Sequence, residues 1–121
     1  MADELTERII GAAIEVHRHL GPGLLESIYE EALCVELELR GISFQRQVPV
    51  DVIYKGRKIK GQILDLIVEE QVVVENKAQK KLPETVDSQV ISYLKATGLK
   101  RGLLLNFGLA KLVDGIQRFS F

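Results

Sequence analysis

Residues 63–77 read Ile63-Leu64-Asp65-Leu66-Ile67-Val68-Glu69-Glu70-Gln71-Val72-Val73-Val74-Glu75-Asn76-Lys77. Two apolar runs flank a polar triplet, the pattern of two strands joined by a short turn. A tight hairpin centred on Glu70 sets Asp65 across from Glu75. Residues two apart on a strand share a face, so Glu75 and Lys77 point the same way. Like charges opposite each other destabilise a sheet. A divalent cation relieves that repulsion, since Mg²⁺ is commonly held by one or two carboxylates with waters and phosphate oxygens completing its shell. Asp65 and Glu75 are therefore a candidate metal site, with Lys77 beside it as a candidate catalytic residue.

Outward from this stretch the periodicity assigns the remaining elements. Residues 58–68 form the strand before the turn, itself preceded by a turn at Lys55-Gly56-Arg57. Upstream, Phe44, Arg46, Val48, Val50, Val52 and Tyr54 alternate with mostly polar residues, as in a strand with one wetter face. Pro49 marks an edge position or a bulge there. The first 40 residues change to a helical period. Leu5, Ile9, Ala13, Val16 and Leu20 make one stripe, closed by Gly21-Pro22-Gly23. A second helix, from about residue 25 to 40, carries Ile28, Ala32, Val35 and Leu39 as its apolar stripe, widened by Tyr29 and Leu33, and Gly41 stops it. Downstream, a helix over 85–97 has Val86, Val90, Tyr93 and Leu94 on its apolar face and ends at Gly98. Leu103-Leu104-Leu105-Asn106-Phe107 reads as a strand buried on both faces. Residues 115–121 leave room for a short edge strand. The order is α-α-β-β-β-α-β with a final β: an α+β chain with a mixed sheet flanked by helices.

Composition narrows the function classes. With 121 residues and 46% apolar content, residues 1–121 are expected to form a single globular domain. No apolar stretch approaches the roughly 20 residues of a membrane span. The acidic start, Met1-Ala2-Asp3-Glu4, lacks the basic and apolar regions of a signal peptide, so a cytoplasmic protein is expected. Cys34 is the single cysteine, which excludes an internal disulfide and a cysteine-based zinc site. His17 and His19 lie two apart on a helix and do not share a face, which argues against a zinc pair. There is no glycine-rich phosphate loop and no Gly-x-Ser-x-Gly elbow. The net charge is −1, so nucleic-acid binding would need a local basic patch. Lys80 and Lys81 are the candidate for one.

Beyond the acids, the chain carries Gly23-Leu24-Leu25-Glu26-Ser27-Ile28-Tyr29, preceded by Leu20-Gly21-Pro22. It also carries Gln47-Val48-Pro49, Tyr54-Lys55-Gly56, Tyr93-Leu94-Lys95-Ala96-Thr97-Gly98 and Leu103-Leu104-Leu105-Asn106-Phe107-Gly108. In these motifs the chain resembles the small bacterial family named for a GxxExxY motif, within the PD-(D/E)XK nuclease superfamily, from about residue 5 to residue 118. The resemblance implies the superfamily's αβββαβ core with an extra N-terminal helix. It implies metal-dependent cleavage of phosphodiester bonds in nucleic acid, DNA ahead of RNA, with Mg²⁺ or Mn²⁺ as cofactor. Asp65 matches the central aspartate, and Glu75 and Lys77 match the (D/E)xK acid and lysine. Asp65 and Glu75 would then ligate the metal, with an oxygen from the Asn76 backbone. Glu26 matches the helical glutamate that many members place beside the metal. Lys77 would orient the attacking water or stabilise phosphoryl charge, and Gln89 would hold a water or a phosphate. The residue before Asp65 is Leu64 and not the proline of the superfamily's name, and residues 62–64 lack a basic residue. A homodimer would help so small a protein span a duplex. The alternatives are a nuclease fold used as a binding module with little or no catalysis, and a structural Asp65 paired with Lys77 or Arg57.

Overall fold

The turn at Glu69-Glu70-Gln71 forms with positive φ at Glu69 and Glu70, 52° and 58°. Two successive positive φ values match the right-handed twist of the strands they join. Glu69 is held there from outside the hairpin. Its N–H donates to the Ser43 carbonyl at 2.9 Å, and its carboxylate accepts from the Ser43 N–H at 2.7 Å.

Around this hairpin the computed structural model describes residues 3–121. The elements are α1 (Glu4–Leu20), α2 (Glu26–Leu39), β1 (Phe44–Tyr54), β2 (Arg57–Val68), β3 (Val72–Lys77), α3 (Val86–Thr97), β4 (Arg101–Asn106), a 3₁₀ turn (Leu112–Gly115) and β5 (Ile116–Ser120). One sheet has the order β1-β2-β3-β4-β5. β3 and β4 run parallel and every other neighbouring pair is antiparallel. Pro49 lies on the edge strand β1, just before a register shift between Val50 and Val52. This is the order and the mixed sheet expected of the chain.

Strand alternation divides the core. Val72, Val74, Leu103 and Leu105 pack with α1 and α2, while Val73 and Leu104 pack on the side of α3. β4 is buried along nearly its whole length, as its continuous apolar run requires. On β2 the alternation slips at Asp65. Leu66 packs with the α1/α2 side but Leu64, two residues earlier, joins Tyr93 and Leu94 of α3. Opposite the slip, Gln47 has a φ of 54° and is passed over in the β1–β2 ladder.

The stripe expected on α2 is corrected. Tyr29, Leu33 and Leu37, with Cys34, are its buried apolar residues. Ile28, Val35 and Leu39 are 46, 51 and 77% exposed. Both sets have helical spacing, so periodicity alone cannot choose the rotation. The choice is made by Tyr29, whose ring stacks on Phe107 at 4.7 Å and 8°. Leu20, placed on the α1 stripe, is also partly exposed at the end of its helix. Among the described residues no helix is long and apolar enough to cross a membrane.

Candidate functional site

The β2–β3 ladder pairs Val68 with Val72, Ile67 with Val73 and Leu66 with Val74, and then stops. Continued in register it would bring Asp65 to Glu75. There the side chains take over from the backbone. The Asp65 N–H donates to Glu75 Oε1 at 2.8 Å, and the Asn76 N–H donates to Asp65 Oδ2 at 2.9 Å. β3 meanwhile stays paired with β4 through Lys77. The two strands part into a notch tied across by carboxylates. Each acid commits one oxygen to the opposite backbone and leaves the other without a backbone bond.

These carboxyls are hard to ionise. Burial, and then the Asp65 charge, push Glu75 up to about 8, although Lys77 and a backbone N–H pull the other way. Burial pushes Asp65 up to about 6 against the Asn76 N–H, with the charges of Glu30 and Glu26 adding to the rise. Glu26 opens α2 and is raised by burial, opposed by Lys77. Glu26, which the resemblance places beside the hairpin residues Asp65, Glu75 and Lys77, thus acts with them in one place. Asp65 has no ion pair with Lys77 or Arg57, and neither cation belongs to any ion pair among the described residues.

Two further side chains join the cluster. Glu30 is buried and acts on Asp65. It accepts from Arg46 Nε at 2.7 Å and from Gln47 Nε2 at 2.9 and 3.0 Å, while Arg46 also reaches Glu31. Its signal was available, because Glu26 and Glu30 are four apart and share a helix face. Tyr93, on the apolar face of α3, also has a polar role. Its hydroxyl donates to the Ile63 carbonyl and accepts from Gln89 Nε2, each at 3.2 Å. The Tyr93 phenol is raised by burial and by the Glu75 charge, so α3 brings Tyr93 and Gln89 up to the acids. Lys80 and Lys81 are exposed on the loop leaving β3. Lys80 lines a cavity of about 590 Å³ with Pro22, Gly23, Leu24 and Gly108.

The loops around the notch are pinned. The Tyr29 hydroxyl donates to the Gly21 carbonyl and accepts from the Leu24 N–H, which fixes the turn into α2 and so the place of Glu26. The Asn106 side chain bonds both the N–H and the carbonyl of Gln79, at 3.1 and 2.8 Å, and holds the loop after Lys77. A side chain at Gly108 would meet the Gln79 backbone at 2.4 Å, so that position has room only for glycine.

Among the described residues no three His, Cys, Asp or Glu side chains form a ready-made metal cage. The residues nevertheless fit a Mg²⁺-type ion. Glu75 is buried and Asp65 half-buried, their ionised forms repel, and an ion of this kind needs only one or two protein carboxylates. Asn76, fully buried between Glu75 and Lys77, has neither side-chain polar atom hydrogen-bonded.

The family model for the PD-(D/E)XK nuclease superfamily matches residues 3–119, and the chain belongs to that superfamily. No curated protein and no solved structure matches it.

Proposed function

We propose that this member of the PD-(D/E)XK nuclease superfamily is a cytoplasmic enzyme that hydrolyses phosphodiester bonds in nucleic acid, DNA ahead of RNA, with Mg²⁺ or Mn²⁺. The observation that carries the reading is the parted end of β2 and β3, where Asp65 and Glu75 bond each other's strands and Lys77 follows on β3. Asp65 and Glu75 would hold the ion, with Glu26 beside it and the Asn76 carbonyl as a further oxygen. The ion supplies Lewis acidity towards water and phosphate. Lys77 stabilises the charge that builds on the phosphoryl oxygens. Gln89, oriented by Tyr93, presents its amide to water or phosphate. Lys80 and Lys81 hold the nucleic acid beside the notch. Pairing of two copies would let both strands of a duplex be cut, and the outward Leu25, just before α2, and Ile28, Val35 and Leu39 on it support such pairing.

The test is cleavage of plasmid DNA, single-stranded DNA and RNA by the purified protein with Mg²⁺ or Mn²⁺. Asp65→Ala and Lys77→Ala should each lower the rate by about 10²-fold or more. Cleavage that survives both substitutions would remove the assignment. Binding without cleavage by the wild type, under every condition, would favour the non-catalytic module.

A further inference from the structure

The β1–β2 hairpin continues past the core. Residues 52–61 are all exposed, including Ile53 at 61% and Tyr54 at 60%. Its tip is a two-residue turn with positive φ at Lys55 and Gly56, the geometry of a well-defined tight hairpin. Four of the chain's 16 Lys and Arg residues lie here, Lys55, Arg57, Lys58 and Lys60, and no acid falls within residues 52–64. None of the four joins an ion pair among the described residues. The chain as a whole is net −1, so this projection is a basic feature on an otherwise acidic molecule. Arg57 pairs with Tyr54 and Lys58 with Ile53, which puts a cation on each face of the ribbon. Lys55 Nζ lies 5.5 Å from the Tyr54 ring centre.

We infer that this hairpin is a nucleic-acid-binding arm that grips the phosphate backbone away from the cleaved bond. The inference rests on the nuclease reading for its geometry. The strand that carries the cations, β2, also carries Asp65. At about 3.3 Å per residue, Lys60 stands about 16 Å and Arg57 about 26 Å from Asp65. At 3.4 Å per nucleotide of one strand, the arm would meet phosphates about five to eight nucleotides from the reacting one. Unpaired cations with an exposed aromatic suit a polyanion. A second copy of the chain is the weaker occupant, because two such hairpins set together would oppose like charges.

The experiment measures binding of fluorescein-labelled duplex DNA, and of duplex RNA, by anisotropy across a salt series with the metal chelated. Wild type is compared with Lys55→Gln/Arg57→Gln/Lys58→Gln/Lys60→Gln, whose fold is checked by circular dichroism. Loss of three or four phosphate contacts should lower the slope of log affinity against log salt by about 3, and affinity by about tenfold or more at low salt. The RNA arm shows which backbone is preferred. If the variant binds with the wild-type slope and affinity, the arm is wrong and the nuclease reading stands. If the variant loses binding while wild type never cleaves, the arm stands and the nuclease reading falls. If wild type binds neither duplex, the arm falls and the nuclease reading rests on the cleavage test alone. A wild-type dimer that becomes monomeric in the variant would also overturn the arm, by making the hairpin an interface between copies.

Discussion

Glu75 shows at one residue what the notch asks of the fold. Its carboxyl, ordinarily at 4.5, is pushed up to about 8 by burial and by Asp65. The folded chain therefore holds this proton over a range where the unfolded chain has released it. Because the folded state binds the extra proton, stability is fully present below about pH 4.5 and declines as pH rises towards 8. Glu75→Gln removes this titration. The variant should exceed the metal-free wild type at pH 8 by on the order of 1–3 kcal/mol and lose most of that advantage at pH 4. Urea unfolding at the two pH values decides it, and an unchanged difference between them would rule out the linkage. Glu30 makes the opposite case, a buried acid already provided with donors. Removing Arg46 would leave it short of the only cation bonded to it among the described residues. Arg46 is partly exposed, so Arg46→Ala should cost about 2–3 kcal/mol, below the usual range for a fully buried pair. Glu31→Ala, at an exposed carboxylate, should cost under about 1 kcal/mol. Equal losses in denaturation experiments would show that Glu30 does not depend on Arg46.

At the scale of elements, the sequence spacing was enough for helices and strands but not for how they turn. β3 was legible over its full length, since a short apolar run between a turn and a polar exit permits little else. The rotation of α2 was not, because two apolar stripes competed and a contact more than 70 residues away decided between them. Through that contact, with Phe107, and its hydroxyl's bonds to Gly21 and Leu24, Tyr29 couples the loop around Gly23 to the start of α2 at Glu26. The tyrosine ties down the loop and the glutamate begins the helix that the loop sets. Tyr29→Phe keeps the ring stack but leaves the Gly21 carbonyl and the Leu24 N–H without their partner. A loss of about 1–2 kcal/mol is expected in thermal unfolding. If Glu26 acts beside the ion, cleavage should fall as well. Unaltered stability would mean that the hydroxyl does not hold the loop.

For the whole molecule, the acids were legible as a set because their spacing and the strand register both lead to the notch. The crossed bonds between Asp65 and Glu75 were not, because they depend on the slip at Asp65 and the turned backbone of Gln47. On the proposed metal reading, the same construction ties the stability of the fold to what enters the notch. Protons and a divalent ion would compete for the same two carboxyls, and an ion that binds only the folded chain stabilises it by mass action. With Asp65 at about 6 and Glu75 at about 8, ionisation is less costly at the higher pH, so Mg²⁺ should bind more tightly there. Mg²⁺ at about 100 times its dissociation constant adds about 2.7 kcal/mol. Scanning calorimetry at a fixed Mg²⁺ concentration should therefore show a larger rise in Tm at pH 8 than at pH 6, and none in Asp65→Ala at either. A rise equal at both pH values, or one that Asp65→Ala retains, would put the ion away from these carboxyls and separate the notch from metal binding.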